Sequence, residues 1–224
     1  MKEKRGVALI DAVPHFCRIC SLLRNLFINK ATCKSGILYD RIYLTMTSRC
    51  LPTNYMAPKL AKKREAFNAA LDKYAGAAEG AKNDYDAALI VHDRLIEDCD
   101  YDLTGEVTDV HNAYGALVEN VAVCDGYAYA YKCIMDRLGI ECRTITGTAT
   151  NGMEANVGHA WNIVKLDGEW YCTDVASGKG SDGSVTYEYF NVTSEKISEL
   201  HKADEDFGVE LPECTATKNA YKNS

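Results

Sequence analysis

A thiol, an imidazole and a carboxylate stand where each could act on the others. His159 opens the stretch HAWNIVKLDGEWYCTD and Asp174 closes it. Asp167-Gly168 at its centre is a two-residue hairpin signal between alternating strands. That turn sets Leu166 opposite Glu169, Trp161 opposite Asp174 and His159 opposite Ala176. His159 and Asp174 then share a sheet face as diagonal neighbours, about 7–8 Å apart at the backbone and within side-chain reach. A carboxylate there accepts the imidazole N–H, fixes its tautomer and supports its charged form. The same two residues also read as a surface pair near a sheet edge. Cys124 directly precedes the helical run of CDGYAYAYKCIMDRLG, where unpaired N–H groups and the positive dipole end stabilise a thiolate. Gly126 is expected to leave the approach to that turn open, and the Cys124 amide to donate to a developing oxyanion.

Other residues carry alternative readings. Tyr114 in NAYGAL is either a second oxyanion donor or packing beneath the helix. Trp161 and Trp170 share the hairpin face by parity, and either wall a substrate cleft or belong to the core. Cys133 and Cys172, mid-helix and mid-strand, are expected in the core. Cys17 and Cys20 form a CxxC, but Cys33 and Cys50 are too far apart to make the second close pair of a zinc site. His92 and His111 have no partner pattern and read as helix-face or loop residues. Asn191-Val-Thr is a glycosylation sequon, with meaning only in a eukaryotic secretory setting.

These residues need elements to hold them. PKLAKKREAFNAALDKYAGAA starts on Pro58, suited to a first helical turn, and aligns Leu60, Phe67, Leu71, Tyr74 and Ala78. NDYDAALIVHDRLIEDCDYD predicts a helix capped by Asn83 or Asp84, with Ala88, Val91, Leu95 and Cys99 in one stripe. The helix begun at Cys124 ends at Gly139. Strands follow over ECRTITGTA, HAWNIVKL and EWYCTDV, with TYEYFNV as a candidate fourth, and a last helix after Thr193. Helices first and a hairpin-rich sheet afterwards is an α+β order.

Bulk properties narrow the partners. The 224 residues suffice for one domain with a substantial core, with or without an appendage. A net charge of −7 argues against nucleic acid as the main partner, since phosphate binding needs a basic face. No apolar run reaches the roughly 20 residues that span a bilayer. Residues 1–50 hold nine Lys/Arg against three Asp/Glu in an otherwise acidic chain. The expected division is a basic appendage over 1–55, of no assigned fold, and a domain over 56–224. The start MKEKRGVALIDAVPHFC has a basic head, but Asp11, Pro14 and His15 interrupt the apolar run of a signal peptide. Reduced thiols and a cytoplasmic setting are expected, and a secreted or cell-surface one stays open should the native start lie elsewhere.

Three blocks, NAYGALVENVAVCDGYAYAYKCIMDRLGIECRTITG, GHAWNIVKLDGEWYCTDVASGKG and the preceding IVHDRLIEDCDYD, resemble bacterial transglutaminase-like domains, relatives of the papain-like cysteine peptidases. The resemblance runs over roughly 57–217. It implies an α+β papain-like core, with the nucleophile helix packed on an antiparallel sheet. It also implies Cys124 as nucleophile, His159 as base and Asp174 as the group orienting the base. Where relatives often read D-x-T this chain has DVASG, which unsettles nearby substrate contacts. The acidic loop clusters of calcium-dependent animal transglutaminases are not evident, so neither a metal nor another cofactor is expected. The expected partner is a protein or peptide carbonyl. Hydrolysis is favoured, with transfer to an amine and a non-catalytic peptide- or cell-wall-binding module as alternatives.

Overall fold

The computed structural model describes residues 53–102, 104, 109–150, 155–205 and 210–221. The Cys17, Cys20, Cys33 and Cys50 set lies outside the described residues, as does the 1–55 segment up to Pro52. Helix α1 runs Thr53–Ala78 and therefore starts five residues before Pro58, which was expected to open it. Pro58 instead sits in the second turn, where its missing N–H leaves one i→i−4 bond unmade. The expected apolar stripe buries Leu71, Tyr74 and Ala78, while Leu60 and Phe67 stay partly exposed.

Helix α2, Asp84–Asp98, is capped by Asn83, whose side chain accepts from the Asp86 amide at 2.8 Å. Its stripe of Ala88, Val91 and Leu95, continued by Cys99 just past the helix, has no exposed surface. Each larger aliphatic side chain in such a position contributes about 1.5–3 kcal/mol through burial. Beyond α2, β1 (Asp100–Tyr101) pairs in parallel with β2 (Val121–Ala122), which leads into α3 (Cys124–Leu138). Gly139 ends α3 at φ 79°, the left-handed conformation expected of it.

The sheet follows: β3 (Cys142–Ala149), β4 (Val157–Leu166), β5 (Glu169–Thr173) and, after the one-turn α4 (Ser194–Ile197), β6 (His201–Ala203). Its order is β5-β4-β3-β6, antiparallel throughout. Helix α3 packs on it through Tyr131, Ile134 and Met135, which join Val164, Leu166 and Tyr171 in one core. Asn162 on β4 donates to the Ala128 carbonyl at 3.1 Å and ties helix to sheet. Cys133 and Cys172 are buried as expected. Among the described residues, no helix is long and apolar enough to cross a membrane.

TYEYFNV is not a strand. The chain turns there, with Phe190 N–H donating to the Tyr187 carbonyl and Asn191 at φ 55°. Its aromatic residues suit a strand by composition, but they are used to cover α2, where Phe190 and Tyr187 pack on His92. Only isolated pairing remains, Cys172 with Val192 and Lys179 with Val185.

Gly147 on β3 is where β6 can come close. A Cβ at Gly147 would stand 2.1 Å from the Lys202 carbonyl oxygen and 2.9 Å from the Ala203 Cα, both backbone atoms. Gly147→Ala should therefore push β6 away and lower stability by about 1–3 kcal/mol, as overpacking does. Chemical denaturation measures this, and an unchanged midpoint would contradict the contact.

Candidate active site

The hairpin expected at Asp167-Gly168 is present. Asp167 (φ 51°) and Gly168 (φ 93°) both take positive φ, the pattern of a type I′ turn, and Leu166 faces Glu169. The ladder then runs to Asn162 opposite Thr173 and stops. The further pairs expected, Trp161 with Asp174 and His159 with Ala176, do not form. Val175 takes helical angles and Ala176–Gly178 make a 3-10 turn, so the chain bends away after Thr173. Asp174 reaches His159 from that bend. His159 Nε2 donates to Asp174 Oδ2 at 2.8 Å.

Asp174 is buried and heavily bonded. Oδ2 also accepts from Ser177 Oγ at 2.6 Å and from His201 Nε2 at 3.0 Å, while Oδ1 takes the Ser177 amide at 3.3 Å. Burial alone would push this carboxyl up. The hydrogen bonds from His159, His201 and Ser177 outweigh it and hold Asp174 well below the usual carboxylate range. For His159, burial pulls down, but Asp174 and then the Cys124 thiol outweigh it and the imidazole is pushed up to about 10. Nε2 is taken by Asp174, which leaves Nδ1 as the ring nitrogen available to the thiol.

Cys124 is the first residue of α3, half-buried, with Val123 before it in extended conformation. Its Sγ lies 4.0 Å from the Gly158 carbonyl oxygen, one residue from His159. Gly126 does not open a path here, contrary to expectation. A Cβ on it would meet the Val110 carbonyl oxygen at 2.3 Å and the Ala122 Cβ at 2.8 Å. Glycine is required because backbone passes directly beneath the helix start.

The remaining expected residues are scattered. Trp161 is buried, its ring centroid 6.3 Å from that of His159 and 5.2 Å from that of His201. Trp170 lies at the other end of the hairpin under the Arg143 guanidinium. Tyr114 packs under Lys63, which pairs with Asp109. Tyr101 is the tyrosine beside Cys124: burial first, then the neighbouring Cys124, pushes its phenol up to about 12. His111 pairs with Asp125 at the surface, and His92 is buried against Asp93.

Sequence reasoning missed Tyr101, Ser177 and His201. Ser177 had a signal, since Asp-x-x-Ser at the start of a turn reads as a cap. Tyr101 and His201 sit on strands of two and three residues, too short for any period to show. Of the described residues, only His159, Asp174 and His201 are grouped closely enough to raise the question of a metal, with donor atoms within 4.8 Å of one another. Those atoms are already turned on each other in hydrogen bonds of 2.8 and 3.0 Å, so no ligand role is assigned to them.

The pair predicts a pH-dependent stability. His159 is raised above its ordinary 6.5, so its contribution is full below that value and fades as pH climbs through about 10. Asp174 is depressed, so its contribution is present above its ordinary 3.8 and lost as pH falls. The melting-temperature gap between the natural protein and His159→Gln should thus be widest between about pH 4 and 6.5 and narrow toward pH 10. Thermal melts across pH check this; a constant gap would contradict it.

A helix starting on a cysteine, laid on an antiparallel sheet that carries a His–Asp pair, is a papain-like arrangement. The chain has a transglutaminase-like core: residues 72–175 match the family model for the transglutaminase-like superfamily. Over 87 residues it is 28% identical to the Kyphoscoliosis peptidase of Homo sapiens, covering 36% of this chain and 13% of that protein. The Mus musculus protein of the same name matches at the same identity and coverage. The chain thus spans 13% of the length of these curated relatives. A solved Cytophaga hutchinsonii structure, named as a candidate cysteine protease, superimposes at a TM-score of 0.43 with 20% identity, over 49% of this chain and 37% of that one. A solved TGase superimposes at 0.45 with 14% identity, over 64% and 39%.

Proposed function

We propose that this domain catalyses thiol-dependent acyl transfer at a peptide or carboxamide carbonyl, with water as the acceptor. The observation that carries the reading is the His159 ring held on Asp174 through Nε2, with the Cys124 thiol beside the same ring. In this reading Nδ1 takes the Sγ proton and Sγ attacks the carbonyl carbon. The Cys124 amide, with the Tyr101 hydroxyl beside it, faces the developing oxyanion. As the intermediate collapses, the C–N bond breaks and His159 returns the proton to the leaving nitrogen, leaving a thioester on Cys124. Water then loses a proton to Nδ1, attacks the thioester and releases the acid and the thiol. Asp174 keeps Nε2–H in place and stabilises the imidazolium formed at each step. The name of the curated relative, a peptidase, favours water over an amine.

Incubation with a peptide digest of N,N-dimethylcasein in ¹⁸O-water, with dansylcadaverine present, tests this. Label is expected in new carboxylates, at glutamine side chains or cut peptide bonds. Dansyl incorporation in place of ¹⁸O would make the domain a transglutaminase, and neither product would favour a binding module.

A further inference from the structure

Asp174 serves two imidazoles. His201 is buried on β6, and β6 pairs with β3 so that His201 faces Ala149, itself opposite Val157. That register puts His201 on the face of His159, two residues further along β4, and the two rings stand 5.3 Å apart between centroids. His201 Nε2 lies 3.0 Å from Asp174 Oδ2, and Nδ1 lies 3.2 Å from the Ile197 carbonyl oxygen. A backbone carbonyl only accepts, and so does an ionised carboxylate. The two contacts are both satisfied only when both ring nitrogens carry hydrogen. A proton on Asp174 Oδ2 aimed at His201 would occupy a lone pair that already accepts from His159 or Ser177, so the ionised carboxylate fits the three contacts.

We propose that His201 is a positioning residue, an imidazolium that anchors the Asp174 carboxylate toward His159 and balances the charge of the site. This rests on the acyl-transfer reading. With Cys124 as thiolate and His159 as imidazolium, Asp174 would leave the group one negative charge in excess, and His201 cancels it. Burial makes that cancellation matter, because an unbalanced charge out of water is costly. A second cation on the same carboxylate also divides its support, so His159 gives up its proton to the leaving nitrogen more readily than it would beside Asp174 alone. The other groups facing His201 do not supply the charge. Tyr189 stands edge-on at 5.1 Å from the segment before α4. Lys196 of α4 lies beyond that ring, 5.7 Å from its centroid, and is paired with Glu188 and Glu199. Lys202 on β6 is exposed.

The direct test is long-range ¹H–¹⁵N correlation on ¹⁵N-histidine-labelled full-length protein at neutral pH. His201 signals are assigned by their loss in His201→Gln, or by elimination using His159→Gln should the first variant fail to fold. Both His201 nitrogens are expected in the protonated form; one protonated and one bare nitrogen would overturn the proposal. The second test is the pH profile of Cys124 alkylation by iodoacetamide. His201→Gln keeps one N–H toward Asp174 without the charge, and should lower the rate about ten-fold, with the alkaline limb moved to higher pH. His201→Phe should lower it about hundred-fold. A profile unmoved in folded His201→Gln would overturn a positioning role. The two readings fail separately. A neutral His201 beside a reactive Cys124 sinks this proposal alone, whereas a protonated His201 beside an inert Cys124 sinks the acyl-transfer reading.

Discussion

Cys124→Ala is expected to remove turnover, by about 10⁶-fold on the scale of a lost nucleophile acting within a triad, while the protein stays folded. The side chain is only half-buried and starts α3 rather than filling the core beneath it. Alanine keeps the helix start, since α3 uses no side-chain cap at Val123 and its packing comes from Tyr131, Ile134 and Met135. The melting temperature should shift by no more than a few degrees. Turnover of the casein digest in ¹⁸O-water reads the loss. Retained ¹⁸O incorporation in folded Cys124→Ala would mean that the chemistry does not pass through this thiol.

Asp174→Asn is expected to cost up to about 10⁴ in turnover, as in a comparable triad. The amide presents its NH₂ where His159 Nε2–H now donates, and the wrong tautomer then places a proton on Nδ1. This substitution also reaches further than the hairpin alone suggests. Oδ2 holds His159, His201 and Ser177 together, so the change strands two imidazoles and should lower stability by about 3–5 kcal/mol, the cost of breaking a buried pair. Residues acting as a unit lose activity together rather than multiplicatively. His159→Ala with Asp174→Asn should therefore be scarcely slower than His159→Ala alone. Multiplied losses would show the two acting independently.

The sequence made one side of this site legible and hid the other. Asp167-Gly168 fixes a two-residue turn, and the alternation around it fixes register, so the hairpin could be drawn residue by residue as far as Asn162 and Thr173. The bend at Val175 was not legible, although it brings Asp174 to His159 more directly than the ladder would have. Asn83 and Gly139 announced their helix ends through local chemistry, a side-chain acceptor and a left-handed backbone. His201 gave no such sign. Its contact with Asp174 spans 27 residues and depends on three-residue β6 finding the far edge of β3, which only the open surface at Gly147 permits. TYEYFNV misled for the converse reason: aromatic residues that suit a strand are equally suited to roofing a helix.

The most direct test of the central claim, that His159 and Asp174 serve Cys124, is the alkylation rate of Cys124 across pH in the natural protein and in His159→Gln. Selectivity alone decides little, because Cys99, Cys133, Cys142, Cys172 and Cys214 are all buried and would lag for want of access. Rate against pH is the informative quantity, read by peptide mass spectrometry. With the His159 imidazole serving the sulfur, Cys124 should react rapidly even at mildly acidic pH. His159→Gln should slow it there far more than at alkaline pH, where any thiol ionises. Matching profiles in the two proteins, both slow in acid, would contradict the account.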